Sequence, residues 1–193
     1  MFSSRLPAAL APNAISRAVA ALRTAGVPLL DLTETNPTAV GLVYPAGVLD
    51  ALSAPAAMHY APESLGLGLA REAVAQEYAR TGHRVSADQI VLTASTSEAY
   101  TLLFKLLCDP GDDVLVPQPS YPLFESLTRL DAVTARPYRL EYHGVWSIDR
   151  DSVTRAFTAR TRAFFVVSPN NLMGSMLRQN DREIGRASCR ERV

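Results

Sequence analysis

Phe164-Phe165-Val166-Val167-Ser168-Pro169-Asn170-Asn171 runs from four apolar residues straight into a polar turn. A strand that is apolar at every position is buried on both faces. Such strands belong to sheets covered by helices above and below. Upstream, Ile90-Val91-Leu92, Val114-Leu115-Val116 and Ala135 to Leu140 read as further strands, the second stopped by Pro117 and Pro119. Helical spacing fills the gaps between them. It recurs at Leu67, Ala70, Val74 and Tyr78, closed by Gly82, and at Ala99, Leu102, Leu103, Leu106 and Leu107. Two shorter helices are predicted from about Leu123 to Leu130, and from an Asp149 N-cap through Phe157. The alternation predicts an α/β fold: a three-layer, mostly parallel sheet with helices on both faces and right-handed crossovers.

Composition narrows the function classes. The chain has 193 residues, 48% hydrophobic, with formal net charge zero. No basic stripe for nucleic acid is implied, and no apolar run reaches the roughly 18–20 residues that span a bilayer. Cys108 and Cys189 do not make a disulfide framework, so a reducing cytoplasm is the expected location. His59, His83 and His143 are too scattered for a metal site. The first thirty residues hold no acid, a composition shared by transit peptides. The reading adopted is an amphipathic helix from Ala14 to Ala25, capped by Asn13 and stopped by Gly26.

Ligands of such sheets gather at the carboxyl ends of the strands, and three of those ends are polar. Thr93-Ala94-Ser95-Thr96-Ser97-Glu98 reads as a capping box, Ser95 with Glu98, opening a helix whose first N–H groups and hydroxyls suit a phosphate. Pro117-Gln118-Pro119-Ser120-Tyr121-Pro122 brackets Tyr121 between prolines, which suits an aromatic face against a planar ligand and equally an ordinary packed turn. Ser168 to Asn171 offers side-chain amides, or merely ends a strand.

In order and spacing these segments resemble the pyridoxal 5′-phosphate-dependent aminotransferases of class I/II (fold type I), from Asp31 to about Leu177. Asp31-Leu32-Thr33-Glu34-Thr35-Asn36-Pro37 is similar to the family's opening segment, whose backbone meets the substrate carboxylate, so Thr35 and Asn36 would bind substrate. Tyr60-Ala61-Pro62, Gly66 and Leu69-Ala70-Arg71-Glu72-Ala73 follow, then Asp109-Pro110-Gly111-Asp112 before the second strand. The resemblance implies that Ser95, Thr96 and Ser97 hold the cofactor phosphate, Tyr121 stacks on its ring and Asn171 bonds its phenolic oxygen. It implies that Tyr60 reaches the phosphate of a neighbouring subunit, hence a homodimer acting on amino acids and 2-oxo acids. It also implies residues 1–44 as an arm with part of the small domain, and 45–182 as the N-terminal part of the large cofactor domain.

The departures are specific. Ser95 and Thr35 stand where the family commonly has glycine, and Leu172-Met173 where it has Pro-Thr before Gly174. A cis bond before Leu172 would cost about 3–4 kcal/mol, so a trans bond and a displaced Asn171 are expected. The family's Schiff-base lysine lies well downstream of Asn-Asn. Lys105, the only lysine, sits mid-helix and reads as a surface residue. Residues 183–193 have no hydrophobic periodicity and are similar to a sequencing adapter translated in frame, so they are expected to be a non-native tail. The expectation is an N-terminal fragment of a longer aminotransferase, inactive by itself. The rival readings are a fold-type I carbon–sulfur lyase, a non-catalytic fragment, and a regulator whose DNA-binding domain residues 1–30 are too short to supply.

Overall fold

The computed structural model describes residues 3–7, 11–170, 172–178 and 181. They divide into two compact units: a helical unit, Ala9–Leu92, and a sheet unit, Thr93–Val193, to which residues 1–8 are assigned. Residues 183–193 lie outside the described residues. Among the described residues no helix is long and apolar enough to cross a membrane.

The helical unit opens with α1 (Ala14–Thr24). Asn13 caps it by accepting from the Ser16 N–H at 2.8 Å, as the sequence predicts. Helix α2 (Gly68–Arg80) is the second helix, flanked by 3-10 turns at Asp50–Ser53, Pro55–Met58 and Ala87–Gln89. Arg71 organises this part of the chain. Its guanidinium donates to the carbonyls of Gly66 and Ala87, both at 2.9 Å, and lies 3.6 Å from the Glu63 carboxylate. Gly66 has φ +92°, and a Cβ there would meet Leu92 Cβ at 2.6 Å, so close approach and backbone both require glycine. Ile90 is the only described residue of this unit that is buried. Contrary to the sequence reading, Ile90 to Leu92 form no strand. Ile90 ends a 3-10 turn and Leu92 N–H bonds the Leu65 carbonyl at 2.9 Å, so a loop takes the place of a ladder.

The sheet unit runs α3 (Thr96–Leu107), β1 (Asp113–Gln118), α4 (Phe124–Leu130), β2 (Thr134–Tyr142), β3 (Trp146–Ile148), α5 (Arg150–Ala156) and β4 (Thr161–Phe164). The strand order is β3-β2-β1-β4. β1 lies parallel to β2 and β4, and β3 pairs antiparallel with β2. The expected strand to Val167 stops at Phe164, although Phe165 N–H still reaches the Leu115 carbonyl at 2.8 Å.

β1 is buried on both sides, which makes the three layers. Val114 and Val116 pack with Phe104 of α3, Phe124 of α4 and Val133. Leu115 turns the other way, to Tyr138, Ile148 and Val153 of α5. The Tyr138 hydroxyl donates to the Phe165 carbonyl at 2.8 Å, and burial pushes that phenol above its usual range. Asp149 caps α5 through the Ser152 N–H at 3.1 Å, and buried Ser152 Oγ accepts from Arg139 N–H of β2 at 2.8 Å.

Two buried acids start β1. The Arg162 guanidinium bonds Asp112 at 2.9 Å, and Arg136 bonds Asp113 at 2.7 Å. Thr158 Oγ1 also donates to Asp113, at 2.6 Å. The Arg162 hydrogen bond, helped by Asp109 N–H, holds the Asp112 carboxyl below the usual carboxylate range. A depressed carboxylate stabilises the fold fully above the unfolded pKa of about 3.9, and that contribution is lost as pH falls through the folded value.

Two outcomes are expected. Phe104→Ala, at 1% exposure, lowers denaturant stability by about 3–5 kcal/mol, while Leu106→Ala on the same helix, at 77%, changes it by about 0.5 kcal/mol or less. In urea titrations across pH, Asp112→Asn lowers the midpoint at pH 7 and flattens the fall in stability below about pH 4.

Candidate functional site

Helix α3 starts where the sequence places it. Ser95 is the N-cap, with extended backbone (φ −162°, ψ 163°), and its Oγ accepts from Glu98 N–H at 3.1 Å. The Glu98 carboxylate makes the return bond one residue earlier than a capping box requires, on Ala94 N–H at 2.5 Å. Thr93 Oγ1 donates to the Ser95 carbonyl at 3.1 Å. The N–H groups of Thr96 and Ser97, and both hydroxyls, have no partner among the described residues. Two free N–H groups and two free hydroxyls at the positive end of a twelve-residue helix are suited to an anion.

Tyr121 follows β1. The Gln118–Pro119 peptide ahead of it is cis. Its ring, 36% exposed, meets buried Phe124 edge-on at 6.1 Å. Phe124 in turn meets Tyr100 at 5.0 Å. Tyr100 is one turn beyond Thr96 on α3, so this ring chain ties the Tyr121 segment to the helix start. Burial, with the Tyr121 phenol nearby, raises the Tyr100 phenol. Ser120 Oγ is buried with no hydrogen-bond partner among the described residues. Sequence reasoning missed Tyr100, whose i+4 spacing from Thr96 was the available signal.

The third segment is built on Asn170. Its Oδ1 accepts from Leu172 N–H at 3.0 Å and Met173 N–H at 3.2 Å, and its carbonyl accepts from Gly174 N–H at 2.8 Å. Its own N–H donates to the Ser175 carbonyl at 2.8 Å. Ser168 Oγ closes the loop on Leu177 N–H at 3.0 Å. Asn171, and with it the peptide bond to Leu172, lies outside the described residues. Beneath this loop, Pro117, Tyr138, Val167 and Asn170 line a cavity of about 30 Å³. That is room for one water and far too little for an organic cofactor, so a ligand must sit outside it.

Tyr60, Thr35 and Asn36 belong to the helical unit. Tyr60 is 93% exposed. Asn36 is engaged locally: its Oδ1 accepts from Thr38 N–H at 3.1 Å and Thr38 Oγ1 at 2.7 Å. Thr35 is exposed beside it. Lys105 lies on the exposed side of α3, 3.6 Å from the Asp131 carboxylate. Among the described residues no His, Cys, Asp and Glu group forms a metal cluster.

With this geometry in hand, comparison with known proteins gives a consistent result. The family model described as aminotransferase class I and II matches residues 37–184. Glutamate-pyruvate aminotransferase AlaA of Escherichia coli (strain K12) is 32% identical over 158 residues, 80% of this chain and 39% of that protein. Alanine aminotransferase of Mycobacterium tuberculosis is 33% identical over 161 residues, 81% of this chain and 37% of that protein. Among solved structures, alanine aminotransferase from Pyrococcus furiosus superposes with a TM-score of 0.81 at 29% identity, covering 99% of this chain and 50% of that one. The chain therefore spans half or less of the length of these relatives.

Asn170→Ala strips the acceptor from two backbone N–H groups and is expected to cost about 1–3 kcal/mol. Hydrogen exchange at Leu172 and Met173 should quicken while that of β1 stays slow.

Proposed function

The chain belongs to the aminotransferase class I and II family, whose members use pyridoxal 5′-phosphate, and on that premise we propose that its sheet unit is the phosphate- and ring-binding part of an aminotransferase. The observation that carries this reading is the start of α3. Thr96 and Ser97 present free N–H groups and hydroxyls there, and a chain of rings holds the half-exposed Tyr121 to the same helix. The donor set fits the cofactor. Thr96 and Ser97 would hold its phosphate at the positive end of the helix, and Ser95 fixes where that end begins. Tyr121, braced edge-on by Phe124, would stack on the pyridine ring. Asn171 is proposed as the donor to its phenolic oxygen. When bound, pyridoxal 5′-phosphate supplies an electron sink. The protein supplies orientation and charge compensation.

The reaction proposed for the polypeptide in which these residues join a lysine-bearing segment is amino-group transfer between an amino acid and a 2-oxo acid. Glutamate, alanine and pyruvate, from the relatives' names, are the first substrates to test. Lys105 does not serve as the Schiff-base residue, because it faces solvent beside Asp131. Thr35 and Asn36 are proposed to meet the substrate. Tyr60, almost fully exposed, is proposed to reach the site of a second copy in a homodimer, and the setting to be cytoplasmic. A helical unit with one buried residue among its described ones supports a further surface against it.

Three outcomes test this. Pyridoxal 5′-phosphate binds the chain more tightly than pyridoxal does, and Tyr121→Ala weakens that binding by about tenfold, read by equilibrium dialysis. Borohydride treatment of the mixture leaves Lys105 unlabelled, whereas stoichiometric labelling there rejects the assignment. With the lysine-bearing segment present, amino transfer requires an oxo-acid acceptor. Release of pyruvate and a thiol without one would make the protein a carbon–sulfur lyase instead.

A further inference from the structure

Helix α5 and the carboxyl ends of β1 and β2 border an open cleft of about 310 Å³, lined by Gln118, Pro137, Arg139, Ser152, Arg155 and Ala156. None of these residues enters the cofactor or substrate reading above. We propose that the cleft is a binding site for the phosphate or carboxylate group of a small molecule, held by Arg139, Arg155 and Gln118.

The backbone brings these side chains together. β3 pairs with β2 only from Leu140 to Tyr142. Just before that stretch α5 takes over the edge of β2. Arg139 N–H donates to Ser152 Oγ at 2.8 Å, and Asp149 N–H donates to the Arg139 carbonyl at 3.0 Å. Arg155 lies one turn beyond Ser152 on α5, on the same face of the helix. From the other side, the parallel register sets Gln118 of β1 beside Arg139. Pro137, two residues before Arg139, shares its face of β2, and Ala156 is short enough to leave the space open. The cleft is far larger than the roughly 30 Å³ that one water takes up, and it reaches the lower end of the about 300–1,000 Å³ found for small-molecule sites.

Its donors are unspent. The Arg139 guanidinium and the Gln118 carboxamide have no partner among the described residues. Arg155 stands 3.6 Å from the Asp149 carboxylate, whose other oxygen takes the Ser152 N–H. Asp151, one turn before Arg155, makes no ion pair with either arginine. Two guanidiniums facing one close carboxylate leave an uncompensated positive charge at the cleft. A guanidinium offers parallel N–H groups that match two oxygens of a phosphate or carboxylate, and the Gln118 amide adds a neutral donor beside it. A cationic ligand would be repelled.

The test titrates inorganic phosphate and succinate separately into the ¹⁵N-labelled 193-residue chain at fixed ionic strength, following the Arg139 and Ser152 amide signals. Both signals should shift saturably with at least one anion. Phosphate alone would mark a phosphoryl ligand, and succinate alone a carboxylate one. Arg139→Gln keeps the backbone bond to Ser152 and alters only an exposed side chain. It should weaken binding about ten- to hundredfold, the loss of hydrogen bonds to a charged group. Arg155→Gln should weaken it in the same direction and carries the test if Arg139→Gln does not fold. Arg17→Gln on α1 removes the same charge far along the chain and should leave binding unchanged. Absence of saturable shifts with both anions overturns the proposal. So does an Arg17→Gln effect as large as that of Arg139→Gln, because anions would then answer to overall charge and not to the cleft.

Discussion

Strand β1 is closed to water on both faces, and the sheet unit follows from that. Val114, Leu115 and Val116 have no room for a polar side chain, so polar groups are pushed to the two ends of the strand. The entering end holds Asp112 and Asp113, paired with arginines from β2, β4 and the turn before β4. The leaving end releases the chain into Pro119, Ser120 and Tyr121. α/β sheets bind ligands at strand ends for this reason: the middle is fully committed to packing.

Much of this was legible in the sequence because burial on two faces leaves a simple mark. Val114-Leu115-Val116 is apolar without alternation, and α3 and α5 announce themselves through Ser95 and Asp149, both of which act as caps. Where the reading failed, the missing information lay in partners. Ile90-Val91-Leu92 has the composition of a strand, yet a strand exists only by virtue of a neighbour, and Leu92 finds a loop carbonyl instead. β3 escaped notice because three residues after Gly144, with Ile148 alone buried, leave too short a pattern. Arg71 looked like one letter of a motif. Its role comes from the carbonyls of Gly66 and Ala87, which only the fold brings together.

The candidate site shows the same division. The hydroxyl run at 95–97 could be read directly, because capping is local. The unexpected reach of Glu98 to Ala94, the rings that link Tyr121 to Tyr100, and the inward turn of Asn170 could not. Sequence attention fell on Asn171, while the neighbouring Asn170 holds the loop together.

The polarity of β1 has an electrical side. Six residues at about 3.3 Å each put roughly 20 Å between the carboxylates at its start and the turn that carries Tyr121. Each of those carboxylates is bonded to an arginine, Asp112 at 2.9 Å and Asp113 at 2.7 Å, so each pair presents a short dipole whose field falls off faster than that of a lone charge. The ion pairs and the phosphate cup thus behave as separate circuits on one strand. Selection can retune the charge pattern that secures the fold without disturbing the potential in which a phosphate would sit, and the reverse.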